Sequence, residues 1–281
     1  MKVGYLGPKG SFTYSATISF FKEAELTPLP TIISALKEIE KDELDYVVVP
    51  IENSIEGTVN QTLDFLYHHS TVPIQGEIIL PITQNLMVHP NWYGKLADIK
   101  MIKSHPQALA QTQQFLAEHF NEAKQESTAS TTEAARWSHE HPEKAVAVVG
   151  PKEAAKVYDL RIVSENIQDM ANNQTRFWII GKKPIVKTTV ATTTRKSIGV
   201  NFTENKPGNL HKILSVFSWR EIDLTKIESR PLRTQLGDYF FLIDIQYENA
   251  ALIEHALEEI NQLGGVIKRL GVYDVFLEKA L

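Results

Sequence analysis

At 281 residues the chain is longer than one compact core usually organises, which predicts two domains. Hydrophobic residues at 43% and charged residues at 22% exclude a disordered or fibrous chain. A net charge of −5 lacks the basic footprint of a nucleic-acid binder, and the absence of cysteine removes disulfides, thiolate nucleophiles and cysteine-ligated metal.

The amino terminus, Met1-Lys2-Val3-Gly4-Tyr5, enters a strand-like run without a signal-peptide core. The longest uncharged stretch, Ile78 to Gly94, contains Pro81 and Pro90 and is too short for a membrane span. A cytoplasmic protein acting on small molecules, with no membrane partner, is expected.

From Met1 to about Gly181, β-rich runs alternate with amphipathic segments. Strands are predicted at Val3–Leu6, Tyr46–Val49, Lys100–Ser104, Ala145–Val149 and Phe177–Ile180. Helices are predicted near Phe12–Phe21, Ile32–Glu40, Val59–His68, Gln107–His119 and Thr132–His139. Thr58 with Gln61 three residues later has the pattern of a capping box for the third helix. The alternation implies an α/β domain with a largely parallel sheet. Lys182 to Lys196 then holds five basic residues, five threonines and Pro184, with no acidic residue, and reads as a solvated linker.

Beyond it, Ile198, Val200 and Phe202 alternate as a strand with one buried face. Leu210, Ile213, Leu214 and Phe217 mark a helix, Asp223–Pro231 a second strand, and Tyr239–Tyr247 a third. Leu252 to Leu263 is a second helix, stopped by Gly264-Gly265, and Val266–Val275 is a last strand. The order β-α-β-β-α-β is the ferredoxin-like, α+β arrangement.

Four loops at predicted strand ends carry polar groups. Gly7-Pro8-Lys9-Gly10-Ser11 joins a strand to a helix and matches neither a dinucleotide fingerprint nor a P-loop. It is equally an anion site and a tight turn capped by Ser11. Glu52-Asn53-Ser54 follows the apolar run Val47-Val48-Val49, where an open α/β sheet lines its ligand crevice. Ser104-His105-Pro106-Gln107 has Gln111 one turn further on the same face; His105 is an acid–base candidate or a satisfied hydrogen-bonding group. Asn173-Gln174-Thr175-Arg176-Phe177 clusters amides, a hydroxyl and a guanidinium that can hold a small carboxylate. The histidines, at 68, 69, 139 and 141 among others, have no metal-ligand spacing. The residues alone imply a cleft for a small polar anion and leave the reaction open.

Taken in order, GYLGPKGSFT, PIENSIEGTV, SHPQALAQ and NNQTRFWII resemble the prephenate dehydratase family over essentially the whole chain, and the distal PGNL and ESRP resemble the effector motifs of an ACT domain. The resemblance implies a bilobed catalytic domain over 1–182, folded like a type II periplasmic binding protein. Crossovers between its lobes are expected near 78–83 and 157–163. A linker over 183–195 and an ACT regulatory domain over 196–281 follow, with no room for an amino-terminal chorismate mutase domain before the first strand. The implied activity is cofactor-free conversion of prephenate to phenylpyruvate, water and CO2 in phenylalanine biosynthesis. It places Thr175, Arg176, Glu52 and Asn53 in catalysis. Substrate contacts fall to Gly10, Ser11, Ser54, Ser104, His105, Gln107, Gln111, Asn173 and Phe177. L-phenylalanine is the implied effector, bound between ACT domains of a homodimer or homotetramer through Pro207, Gly208, Asn209 and Leu210 with Glu228, Ser229, Arg230 and Pro231. Asn209 departs from the alanine common in the family. A chain ending near Lys183 is expected to keep activity and lose the response to phenylalanine. An arogenate dehydratase and a non-catalytic amino-acid sensor of the same fold are the alternatives.

Overall fold

The structure, a computed structural model, describes residues 1–185, 190–204, 206–235 and 237–278. The chain opens with β1 (Lys2–Leu6), α1 (Phe12–Phe20), β2 (Glu25–Leu29), α2 (Ile32–Glu40) and β3 (Tyr46–Asn53). A two-residue β4 (Gly57–Thr58), α3 (Asn60–His68) and β5 (Ile74–Pro81) complete this stretch. It then crosses at 82–84 into a second lobe of β6 (Asn85–Val88), β7 (Met101–Ser104), α4 (Pro106–Ala110), α5 (Gln113–His119), β8 (Lys124–Ser127), α6 (Thr131–Glu140), β9 (Val146–Gly150), α7 (Lys152–Val157) and β10 (Arg161–Ser164). Strand β11 (Gln174–Gly181) returns to the first lobe. The distal unit is β12 (Thr193–Phe202), α8 (Asn209–Ser218), β13 (Leu224–Pro231), β14 (Tyr239–Gln246), α9 (Ala250–Gln262) and β15 (Gly265–Leu277).

Local chemistry accounts for the boundaries. Val47, Val48 and Val49 are fully buried on both faces of β3, as β-branched residues of a central strand are. Thr31 and Ser34 form a reciprocal capping box that starts α2, and Pro106 occupies the first turn of α4. The helix expected over Gln107–His119 is two helices, because the Thr112 hydroxyl donates back to the Ala108 carbonyl at 2.9 Å where the ladder breaks. The capping box expected at Thr58 does not form: Thr58 lies in β4, and α3 starts after Val59 without a side-chain cap.

The return crossing, expected near 157–163, comes at 165–173, because β10 stays in the second lobe and pairs antiparallel with β6. That lobe holds a sheet in the order β10-β6-β9-β7-β8, with apolar cores on both faces. The other sheet is mixed, not largely parallel, since β11 runs antiparallel between β3 and β5.

This large sheet does not stop at the domain boundary. Its order, β13-β14-β12-β15-β5-β11-β3-β1-β2, runs through a parallel pairing of β15 with β5 at Asp274↔Gly76 to Leu277↔Ile79. Within the stretch read as a solvated linker, Lys182 to Pro184, Val190 and Thr192 are exposed, 186–189 lie outside the described residues, and the reading fails at the distal end, which is built into β12. Arg195 donates to Glu77 at 2.5 Å, and Lys196 is buried beside Glu254. Strand β12 is buried on both faces rather than one. Ile198 and Val200 pack under α8 and α9, while Gly199 on the other face lies against the Tyr67 ring of α3. No helix among the described residues is long and apolar enough to cross a membrane.

Continuity of the sheet argues against the expectation that the first 183 residues stand alone. Leu270, Tyr273 and Val275 belong to the core formed with α2, α3 and Trp178, and Phe276 to the core under α1. Each such side chain stabilises by roughly 1.5–3 kcal/mol, together comparable to a net stability of about 5–15 kcal/mol. A chain ending at Lys183 is therefore expected to lose cooperative unfolding and inactivate, as calorimetry and gel filtration would show; a sharp transition near the parent's would refute it.

Candidate active site

A cleft of about 400 Å³ separates the two lobes. Strand alternation on β11 turns Thr175 and Phe177 into it and Arg176 away from it. On β3 a bulge has the same effect: Arg176 pairs with Glu52 but Phe177 with Pro50, so Ile51 is the extra residue. Pro50 and Asn53 therefore line the cleft and Glu52 does not.

Thr175 is 8% exposed, and its Oγ1 accepts from Asn53 Nδ2 at 2.9 Å. The same amide donates to Asn173 Oδ1 at 2.7 Å, and Asn173 Nδ2 reaches across to Gln111 Oε1 at 3.3 Å. Gln107, Gln111 and His105 line the opposite wall, and His105 Nδ1 accepts from the Gln107 backbone as the cap of α4. Apolar surface comes from Phe12, Val59, Ile82, Ala108 and Phe177. Among the described residues, no lysine or arginine lines the cleft. The first turns of α1 and α6 open onto it instead, at Phe12 and Thr13 from one lobe and Ser130 and Thr131 from the other. Such turns carry N–H groups without intrahelical partners and the positive end of the helix dipole.

Several expected residues support the site from outside it. Ser11 caps α1, accepting from Tyr14 N at 3.2 Å. Gly10, at φ +89°, lies where an added Cβ would meet Thr132 and Ala154 of the other lobe, so it sets how closely the lobes approach. Ser104 is fully buried and donates to Val149 O at 2.6 Å, tying β7 to β9. Ser54 Oγ accepts from Gln174 N at 3.0 Å and holds the start of β11.

Glu52 and Arg176 sit in the junction with the distal unit. Arg176 donates to Glu77 at 3.0 and 2.6 Å, to Asp244 at 2.7 Å and to Glu52 at 2.8 Å. Glu77 and Asp244 are fully buried, and Lys226 of β13 donates to Glu52 at 2.7 Å. Burial alone would raise the Glu52 pKa, but hydrogen bonds from Lys226 and Arg176 outweigh it and hold the carboxyl below the ordinary value of 4.5. For Arg176, burial opposes the charge, and Asp244 and Glu77 more than restore it.

The family model described as prephenate dehydratase matches residues 3–185. Curated relatives of that name include one from Lactococcus lactis subsp. lactis, 45% identical over 98% of both chains, and one from Bacillus subtilis, 40% identical over 98% of this chain and 99% of the other. The crystal structure of prephenate dehydratase from Arthrobacter aurescens in complex with L-Phe superposes with a TM-score of 0.85 at 30% identity, covering 97% of this chain and 90% of that one. The chain belongs to the prephenate dehydratase family.

In this family member the two motifs read as effector-binding, PGNL and ESRP, lie beside a second cavity of about 200 Å³ on the distal unit. Gly208, Asn209 and Leu210 line it with Tyr239 and Phe241, and Gly208 takes φ +88° to start α8. Pro207 precedes that turn. Asn209 is nearly buried and donates to Glu204 O at 2.9 Å. The ESRP segment is divided by β13. Ser229 and Pro231 pair with Phe241 and Tyr239 on the cavity face. Glu228 and Arg230 turn the other way, Glu228 accepting from Thr58 at 2.5 Å and Arg230 donating to Asp64 at 3.0 Å, so they clasp the catalytic half and not the cavity.

Sequence reasoning missed Gln84, Ser130 and Thr131. The last two had a signal in the polar run Ser127–Thr132 ahead of a predicted helix, and Gln84 sits in the short polar step Thr83-Gln84-Asn85 of the long uncharged stretch, which no motif marks. For the junction, Glu52 contributes stability above its unfolded pKa and loses it as pH falls through its depressed folded value. Lys226→Met is expected to destabilise by about 1–2 kcal/mol near neutral pH, a figure discounted for the partial exposure of Glu52. The gap to the parent should close below the ordinary glutamate value, 4.5. Thermal melts across that range test this; a gap independent of pH would show that Lys226 acts through other partners.

Proposed function

We propose that the protein converts prephenate to phenylpyruvate, water and CO2, acting in the cytoplasm and under control of L-phenylalanine. The observation that carries the chemistry is the Thr175 hydroxyl, fixed by Asn53 at the wall of a largely apolar cleft without cations among the described residues. Because Asn53 donates to Thr175 Oγ1, the threonine proton is free to point into the cleft.

Prephenate is a dianion one fragmentation from aromaticity. The C–C bond to the ring carboxylate breaks and releases CO2. Its electron pair enters the ring and expels the ring hydroxyl as hydroxide, which solvent protonates to water. The protein positions the dianion, leaves the departing carboxylate poorly solvated, and stabilises the leaving oxygen. The α1 and α6 amino termini receive carboxylate charge from opposite lobes, and Phe12, Val59 and Phe177 exclude water. Thr175 donates to the leaving oxygen, while Gln107, Gln111 and His105 orient the substrate from the facing wall.

L-phenylalanine takes the cavity beside Gly208 and Asn209 in this reading. Leu210 borders both that cavity and an apolar groove with Leu214 and Trp219, which are 38% and 76% exposed. That groove supports pairing of two copies there, as a homodimer or homotetramer.

Purified protein is expected to form phenylpyruvate from prephenate and to be suppressed by L-phenylalanine. Thr175→Val should cost about two orders of magnitude in kcat with the melting temperature retained. Turnover by that variant close to the parent's would remove Thr175 from the mechanism, and an inert parent would refute the assignment.

A further inference from the structure

A further groove, of about 510 Å³, is bounded by α2, α3 and the loop after β13, and it shares no lining residue with the cleft or the distal cavity. Asn60, Gln61, Asp64 and Phe65 present one face of α3 to it, and Ile33 and Lys37, one turn apart, line it from α2. His69 at the end of α3 and Arg233 of the loop complete it. From Asn60 to His69 the helix runs about 13 Å, enough for a bicyclic ring with a short arm. Ile33 and the nearly buried Phe65 make part of the surface apolar.

The charges around this groove do not balance. Among the described residues, Asp64 is the one carboxylate that lines it, and it already accepts from two guanidiniums, Arg230 at 3.0 Å and Arg233 at 2.5 Å. Glu228, the other acid beside Arg230, stands 3.9 Å from it and is bonded to Lys226 and Thr58. Lys37 is exposed and has no ion pair among the described residues, while Glu40, three residues further along α2, is taken up by Ser70 and Thr71. Two guanidiniums and an ammonium thus face one carboxylate, in a chain whose net charge is −5. Arg233 gives a single hydrogen bond to Asp64 and keeps 58% of its side chain exposed, which leaves the rest of its fork for an incoming anion. Its backbone sits at φ +63°, a left-handed conformation that a non-glycine residue keeps where its surroundings impose it. The first turn of α3, which has no side-chain cap, opens onto the same groove and adds N–H donors.

We propose that this groove binds a carboxylate carried on an aromatic body, the carboxylate held between Arg233 and Lys37 and the ring laid on Ile33 and Phe65. A free amino acid fits worse. Its ammonium would need Asp64, both of whose oxygens are committed to arginine. The site is therefore separate from the one assigned to L-phenylalanine. A bare inorganic anion would leave the apolar part of the groove in water, so the ring contributes to affinity as well as the charge.

The probe is 2-naphthylacetate, with 2-naphthylethylamine as a similar ring of opposite charge. Each is titrated by calorimetry into the parent, Lys37→Gln and Arg233→Gln. The parent is expected to bind the acid saturably, with a Kd of about 1 mM or tighter, and not the amine. Each substitution should weaken the acid by at least about fivefold through loss of a charge-assisted contact, and added salt should weaken it in the parent. Both side chains are exposed, so the melting temperature should hold. Arg233→Gln also releases Asp64; if that variant melts early, Lys37→Gln, which breaks no ion pair among the described residues, decides alone. Absence of saturable binding by the parent overturns the proposal, as does binding of the amine as tight as that of the acid. An affinity that neither substitution lowers places the acid in the cleft or the distal cavity and overturns it too.

Discussion

A guanidinium taken largely out of water is tolerated only when carboxylates match its charge and accept its donors, and Arg176 makes four such hydrogen bonds to groups from both halves of the molecule. Glu77 of β5 receives it as a two-pronged fork, Asp244 of β14 takes one further bond and Glu52 of β3 another. The carboxylates are themselves satisfied. Glu77 also accepts from Trp178 Nε1 at 3.1 Å and from Arg195, and Asp244 accepts from Ser197 at 2.6 Å. Removing either half would strand buried charge in the other, so the junction is part of one fold and not a hinge between two. Arg176 is the neighbour of Thr175 on the same strand, and alternation sends the two side chains to opposite faces. The strand that offers a hydroxyl to the cleft is therefore fixed by its back face.

This arrangement leaves the cleft, among the described residues, without the cation that the Arg176 reading supplied. For a decarboxylating dianion the difference has chemical content. A lysine or arginine beside the departing carboxylate would stabilise the ground state most strongly in the group whose charge must vanish, and only interactions stronger in the transition state accelerate the step. Helix amino termini spread a smaller positive potential over several peptide groups and leave apolar side chains free to line the remaining wall. The Phe12, Val59 and Phe177 surfaces serve the same end by reducing hydration of the departing group.

Much of this was legible in the sequence. The β-α-β-β-α-β periodicity and most first-lobe elements appear as read, and Asn53, His105, Gln107, Gln111, Thr175 and Phe177 do meet at the cleft. What misled was facing. A run such as Glu52-Asn53 or Thr175-Arg176 looks like one polar cluster, yet adjacent strand residues point apart, and the bulge at Ile51 gives no signal in residue type. Ser11 and Ser104 were drawn toward the substrate by their place in motifs, although a serine before a helix or beside a buried carbonyl has a local partner at hand. Gln84 escaped because the polar step Thr83-Gln84-Asn85 reads as an ordinary turn between apolar runs, and its place at the cleft comes from the lobe crossing on which it sits. The merged sheet was hidden for a similar reason: pairing of β5 with β15 joins positions some 200 residues apart, as Asp274 with Gly76 shows.

The same alternation supplies a route between the two cavities. Tyr239 and Phe241 line the distal cavity, and Phe240 between them faces the other way and stacks on Tyr67 of α3 at 3.6 Å. At the other end of α3, Val59 and Thr58 line the cleft, and Thr58 is held by Glu228 and Lys226 of β13. An occupant of the distal cavity thus touches the strand pair whose opposite face grips the cleft wall. Contact alone transmits nothing, because a ligand shifts an equilibrium only by its difference in affinity for two states. The difference must arise where one face of β13–β14 can move without the other, and a one-residue register shift, with Thr225 the extra residue between Leu224 and Lys226, marks the irregular point of that pairing. Lys226 stands immediately beyond it, bonded to both Glu52 and Thr58, which places an irregular point of the distal sheet against the residues that frame Asn53.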